Sequence, residues 1–280
     1  MIIQGSKEWS ELRKNKIGAS DAPIIMGVSP WKTPFELFND KLGLSNDQNL
    51  TAPMQRGIDL EPIARKKFEN QTGIMVFPEV RIHSKYDWMM ASLDGVDISG
   101  KTAVEIKCPG EIDHQLALQG KIPDKYIPQL QHQMYVLGIE VMYYFSYSNE
   151  SSNLLQINID DKYIDVLLYK EKEFYDRLQR LDPPELCERD YQIREDDEWK
   201  KLARQYTECQ KLHSEIEKDM ESIKKELIKI SKGKNSKGSG ITFSSCVKKG
   251  SIDYKKIPEI RDLNLEIYRK PPTQYYRISI

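Results

Sequence analysis

The sequence predicts an α/β fold of the α+β kind: a mixed central sheet flanked by helices, with a helical arm and a small β unit added at the C-terminal end. Three observations predict it. Apolar residues recur at helical spacing in the first 72 residues, short β-like runs separated by turn signals fill 75–107, and a long heptad pattern occupies 195–232.

Residues 6–16 read as a short helix ending before IGASDAP, where Ser20 or Asp21 can cap the next one. After the loop VSPWKT, Thr33 as cap and Pro34 at the first helical position start the helix PFELFNDKLG, which Gly43 stops. In 55–72, Leu60, Ile63, Ala64, Phe68 and Thr72 share one helical face, and Gly73 ends the run. MVFPEVRIHS, WMMASLDGVDI and TAVEIKC follow as consecutive strands of one sheet, with Asp94-Gly95 and Ser99-Gly100 as turn signals. Residues 123–138 return to helix, and VMYYFSYS and LLQINI supply two more strands, closing a core at 1–160.

A second region, 161–232, is helical, interrupted around Asp182, Pro183 and Pro184. Its second helix carries Trp199, Leu202, Tyr206, Cys209, His213, Ile216, Met220, Ile223, Leu227 and Ile230 at alternating steps of three and four, a heptad seam. The seam suits an antiparallel hairpin with 161–181 or an intermolecular coiled coil. The third region, 233–280, opens on the basic turn GKNSKGSG and continues as β through ITFSSCVKKGSIDY and the NLEIYRK to YYRISI stretch.

Composition narrows the function classes. Apolar residues are 39% and charged residues 30%, and no apolar run approaches the roughly 20 residues of a spanning helix. The N-terminus lacks the pattern of a secretory signal, so the expected location is the cytoplasm, with no membrane partner. Cys108, Cys187, Cys209 and Cys246 are too widely spaced for a metal knuckle and are expected as free thiols. An iron-sulfur cluster would need all four to converge. The net charge of -1 conceals a division: 221–280 carries +8 and 1–220 carries -9. A polyanion partner at the basic end and cation-binding carboxylates in the body follow from that asymmetry.

The chemistry centres on three residues. Glu105 and Lys107, two apart on a strand, share a face, while Val104 and Ile106 point into the core; the pair is expected to be presented rather than buried. Asp94, eleven residues upstream in a turn, meets Glu105 if the two strands pair. Two carboxylates at one point repel unless a divalent cation lies between them, and oxygen ligands select magnesium or manganese over zinc. Glu61, outside the apolar stripe of its helix, offers a third carboxylate. Gln129 in YIPQLQHQMYVLG is placed to hydrogen-bond a water or ligand, with Gln131 and Tyr135 at Gln-X-X-X-Tyr spacing.

Trp9 to Arg13 with Gly18-Ala19-Ser20, then RGIDLEPIARKKFENQTG, ASLDG, EIKCP and YIPQLQHQMYVLG, follow one another as in a known family. Over about 5–147 the chain resembles the YqaJ-type viral recombinases, the phage lambda exonuclease family within the PD-(D/E)XK nuclease superfamily. The resemblance implies a restriction-endonuclease-like core, two magnesium ions replaceable by manganese, and hydrolysis of phosphodiester bonds in double-stranded DNA. It further implies Asp94, Glu105, the main-chain carbonyl of Ile106 and Glu61 at the metal, and Lys107 and Gln129 positioning the attacking water. Arg13 and Ser20 match residues holding a terminal 5′-phosphate, although Ser20 also suits a plain helix cap; Gln131 is a candidate DNA contact. Family members form ring trimers and commonly work beside a single-strand annealing protein. Leu93 stands where a proline is usual, and the chain beyond 161 has no counterpart in the compact phage enzyme. A 5′-to-3′ exonuclease on linear duplex is the leading expectation. An endonuclease or nickase and a non-catalytic DNA-binding protein remain alternatives, with Lys248, Lys249, Lys255, Lys256, Arg269 and Lys270 expected on phosphates.

Overall fold

A computed structural model describes residues 2, 4–45, 51–253, 257 and 263. It divides into two compact units, Met1–Gln192 and Ile193–Ile280. The first holds α1 (Lys7–Asn15), β1 (Ile17–Gly18), α2 (Ala22–Ile25), α3 (Pro34–Lys41) and α4 (Ala52–Thr72). β2 (Phe77–Ile82), β3 (Met89–Val96), β4 (Ala103–Lys107), α5 (Glu111–Leu118), α6 (Ile127–Leu137), β5 (Val141–Tyr147), β6 (Ser152–Asn158) and α7 (Asp161–Arg180) complete it.

Caps fix most helix starts. The Ser6 side chain accepts from Trp9 N, and Thr33 and Glu36 form a reciprocal capping box ahead of Pro34. Gly73 and Gly138 end α4 and α6 in the left-handed conformation that glycine adopts without a Cβ penalty. The sheet is mixed, in the order β1-β3-β4-β5-β6, with β2 also on β3. Met90 pairs with both Gly18 and Ile82, and Val96 with both Phe77 and Ala103. β1 and β4 therefore share one edge of β3, and β2 takes the other. Between them, the edge around Ala91–Asp94 is left without a strand. β4 and β5 run parallel, with Glu105 opposite Tyr144.

Two apolar layers sandwich the sheet. Ala64 and Phe68 of α4 pack with Val76, Val104, Ile106 and Phe145 on one face. On the other, Leu130 and Met134 of α6 and Phe174 and Leu178 of α7 pack with Leu93, Ala103 and Tyr144. Gly95 lies at a crossing too tight for a side chain: an added Cβ would sit 2.6 Å from Val76 Cγ2 and 2.9 Å from Val104 Cγ1.

Several expectations change. The first unit runs to Gln192 rather than ending near 160, because α7 buries Ile164, Leu167, Phe174 and Leu178 within it. That apolar stripe is spent on the core of the first unit. α4 begins at Ala52, and of the five residues assigned to its inner face only Ala64 and Phe68 are buried; Ile63 is exposed. α5 and the two-residue β1 were not foreseen. Gly110, at the N-cap of α5, makes no side-chain cap, and two residues cannot display a period.

The second unit contains α8 (Asp197–Ser231), capped by Asp196, and the hairpin β7 (Ser236–Gly238) and β8 (Ile241–Phe243). Ser239 and Gly240 both have positive φ, the requirement of a two-residue hairpin turn, so GKNSKGSG forms a strand and a tight turn rather than a free loop. The NLEIYRK to YYRISI stretch lies outside the described residues, as do Lys255, Lys256, Arg269 and Lys270. Among the described residues, no helix is long and apolar enough to cross a membrane.

Candidate active site

The gap in the β3 edge is where the predicted residues meet. The Asp94 carboxylate, past the end of the β3–β4 pairing, turns back to accept from Ile106 N at 2.9 Å. Glu105 points to the α6 side of the sheet, where Lys107 Nζ lies 2.6 Å from Oε1 and Gln129 Nε2 donates to the same oxygen at 2.6 Å. Gln133 Nε2 donates to Glu105 Oε2 at 2.6 Å and to the Ser92 carbonyl at 3.2 Å. Glu105 is thus buried, 2% exposed, contrary to the expectation of a presented pair. Ala103, Glu105 and Lys107 face α6, which covers the strand where solvent was expected.

Charge is crowded here. Burial first, then the charges of Glu105 and Glu61, push the Asp94 carboxyl well above its usual value. Burial also raises Glu61, with Arg65 opposing and Glu105 adding to the rise. For Lys107, burial works against the ammonium, but Glu105 and Asp94 outweigh it and hold its pKa above the usual value. The Lys107 ammonium also lies 5.3 Å from the centre of the Tyr126 ring.

Glu61 is drawn to the edge of this group. Its carboxylate pairs with Arg65, whose Nε donates to the Asp94 carbonyl at 2.8 Å. Among the described residues no three Asp, Glu, His or Cys side chains converge closely enough to hold an ion by themselves. Glu61, its carboxylate drawn to Arg65, lies at the rim of the Asp94 and Glu105 carboxylates, near enough that the Glu105 charge raises its pKa. The side-chain donors come to Asp94 and Glu105, and a further donor would be main chain, as the Ile106 carbonyl. The Asp94 and Glu105 carboxylates with a main-chain carbonyl form an oxygen-only set, which fits magnesium or manganese.

Arg13 and Ser20 are brought together: Arg13 Nη2 donates to Ser20 Oγ at 2.9 Å, and the guanidinium lies 4.9 Å from the Trp9 ring centre. Behind them Asp21 is buried, accepting from Gly18 N at 2.8 Å and pairing with Lys41 at 2.5 Å and Arg13 at 3.5 Å. Neither Ser20 nor Asp21 makes a side-chain cap, and α2 has only four residues, so Arg13 and the exposed Ser20 hydroxyl, not a helix dipole, would meet an anion here.

Gln131 is corrected outright. It is buried, donating to the Asn158 carbonyl at 2.9 Å and accepting from Asp160 N at 2.9 Å, so it ties α6 to the β6–α7 turn and does not face the site. Gln133 was missed, although its place four residues after Gln129 on one helix was a usable signal. Arg65, four after Glu61, carried the same signal. Trp9 was noted only as part of a motif, yet its Nε1 donates to Ser92 Oγ at 2.8 Å and ties α1 to β3. Lys248 and Lys249 are exposed in the second unit. All four cysteines are free thiols, and burial raises the Cys108 pKa to about 11.

Residues 8–140, which contain every one of these site residues in the first unit, match the YqaJ-like viral recombinase domain. The protein YqaJ of Bacillus subtilis strain 168 is 35% identical over 176 residues, 60% of this chain and 54% of that protein. The chain thus spans about half the length of that relative. Two crystal structures of LHK-Exo, an alkaline exonuclease from Laribacter hongkongensis, one of them in complex with dAMP, match with TM-scores of 0.56. They are 26% and 27% identical, over 63% of this chain and 94% of theirs. The fold is accordingly the PD-(D/E)XK one expected, and residues 8–140 are similar to the YqaJ-like viral recombinase domain.

Proposed function

We propose that the chain is a magnesium-dependent deoxyribonuclease that degrades linear double-stranded DNA from its 5′ ends. The observation that carries this reading is the convergence of Asp94, Glu105, Lys107 and Gln129 from β3, β4 and α6 on one edge of the sheet. A related alkaline exonuclease with the same fold supports it.

Asp94, Glu105 and the Ile106 carbonyl would hold the metal. A bound divalent ion supplies a water of lowered pKa and neutralises charge on the phosphate under attack. The Lys107 ammonium stabilises the negative charge that develops on the phosphate oxygens, because it is fixed before the reaction starts and costs no reorganisation. Gln129 donates into the same point and orients the attacking water; Gln133 locks the Glu105 carboxylate from behind. Arg13 and Ser20 hold the terminal 5′-phosphate and so place the first phosphodiester at the carboxylates.

The test is cleavage with magnesium of 5′-labelled linear duplex beside closed-circular duplex. Loss of linear DNA from its 5′ ends, with circles intact and with no activity in chelator, is the expected result. Nicked circles would make the enzyme an endonuclease, and binding without cleavage of either form would make it a DNA-binding protein.

A further inference from the structure

α8 presents an apolar seam that the described residues of its own unit leave uncovered. The helix runs 35 residues, about 52 Å at 1.5 Å per residue, and has no buried residue. Leu202, Ile216, Met220, Ile223 and Ile230 are 56–71% exposed, yet they fall on one line at heptad spacing rather than being scattered. A solvated helix has no reason to keep such a line for five heptads.

We propose that α8 is a self-association surface, packing in parallel and in register against the same seam of further copies of this chain. The flanking charges favour that arrangement. With Trp199 at position a and Leu202 at d, a parallel pairing sets each g residue against the e residue five positions later on the neighbour. Asp219 then meets Lys224 and Gln205 meets Gln210. Reversing one helix turns the g row on itself, and that row holds Glu198, Asp219 and Glu226 with no cation. The size suffices as well: covering a strip about 10 Å wide along each 52 Å helix hides on the order of 1,000 Å² in total, the threshold for a specific interface. Isoleucine at the d positions 216, 223 and 230, with Met220 and Leu227 at a, favours three or four strands over two.

Cys209 provides the test, since its thiol is exposed at a d position, where parallel copies face each other. The full chain is treated with diamide, which takes up the two electrons and two protons released as two thiols become a disulfide. Products are mapped by peptide mass spectrometry, and mass is read by sedimentation equilibrium. The expected result is a Cys209-to-Cys209 bond that falls at least tenfold in Ile216→Lys/Ile223→Lys, with a fall in mass. Ile216→Leu/Ile223→Leu, which keeps the seam apolar, retains the bond. Absence of that bond in the wild type, whatever the mass, overturns the proposal and leaves residues 254–280 or another protein as the cover. A bond that survives the lysine pair overturns it too.

Discussion

Glu105 is held by three donors, Lys107, Gln129 and Gln133, and only the first two belong to the arrangement that the sequence advertises. Gln133 fixes the carboxylate from a fully buried position, so Gln133→Ala should lower activity about 10- to 100-fold with binding of DNA little changed, the usual cost of losing a supporting hydrogen bond. Cleavage rates at saturating DNA check it, and an unchanged rate would make Gln133 a packing residue. The buried Asp21 makes a stability prediction. Burial alone would raise its pKa, but Lys41 and Arg13 outweigh it and hold the carboxyl below the usual 3.8. Its contribution is therefore complete above that value and is lost as pH falls through the folded one. Asp21→Asn leaves the Lys41 ammonium buried without its partner and should cost roughly 3–5 kcal/mol near neutral pH. Denaturant melts from pH 7 down to 3 should also show a flatter acid limb in the variant. Arg13, by contrast, reaches the surface beside Ser20. Arg13→Ala should slow degradation of 5′-phosphorylated ends far more than of 5′-hydroxyl ends, and equal loss on both would make Arg13 a partner of Asp21 only.

At the scale of elements, β3 decides the site. Its free edge between β1 and β4 is filled by α6 side chains: His132 Nε2 reaches the Met90 carbonyl at 2.9 Å and Gln133 the Ser92 carbonyl. The tight crossing at Gly95 keeps β3 against β4, so Gly95→Ala should destabilise the fold by about 1–3 kcal/mol through overpacking. Gly95→Ala with Val76→Ala should recover part of it, as thermal melts of both variants would show. Element type was legible in the sequence for α3, α4, β2 to β4 and α6, because caps, glycine stops and period changes are local signals. The phase of α6 was not. Gln129, Gln131 and Gln133 are chemically alike, and only the packing of Leu130 and Met134 turns the first and third toward β4 and the second toward Asn158. Burial of Glu105 was hidden for the same reason: a strand alternates faces, but nothing within β4 says that both faces are covered.

At the scale of the whole molecule the two units carry opposite charge, and the basic one exposes Lys248 and Lys249. If both contact phosphates, their joint replacement by alanine should flatten the slope of log affinity against log salt by roughly 1.8, at about 0.9 for each contact on duplex DNA, and spare cleavage at saturation. An unchanged slope would assign the tail to another partner. The charge division was plain in composition. The boundary at Gln192 was not, since α7 looks like an arm until its stripe is matched to the core. The central claim is that Asp94 and Glu105 form a metal-dependent hydrolytic site. It is tested most directly by release of mononucleotides from 5′-phosphorylated linear duplex in magnesium, comparing the wild type with Glu105→Gln. The account predicts steady release by the wild type and a fall of about 100-fold or more in the variant, with DNA binding retained. Undiminished release by Glu105→Gln would contradict it.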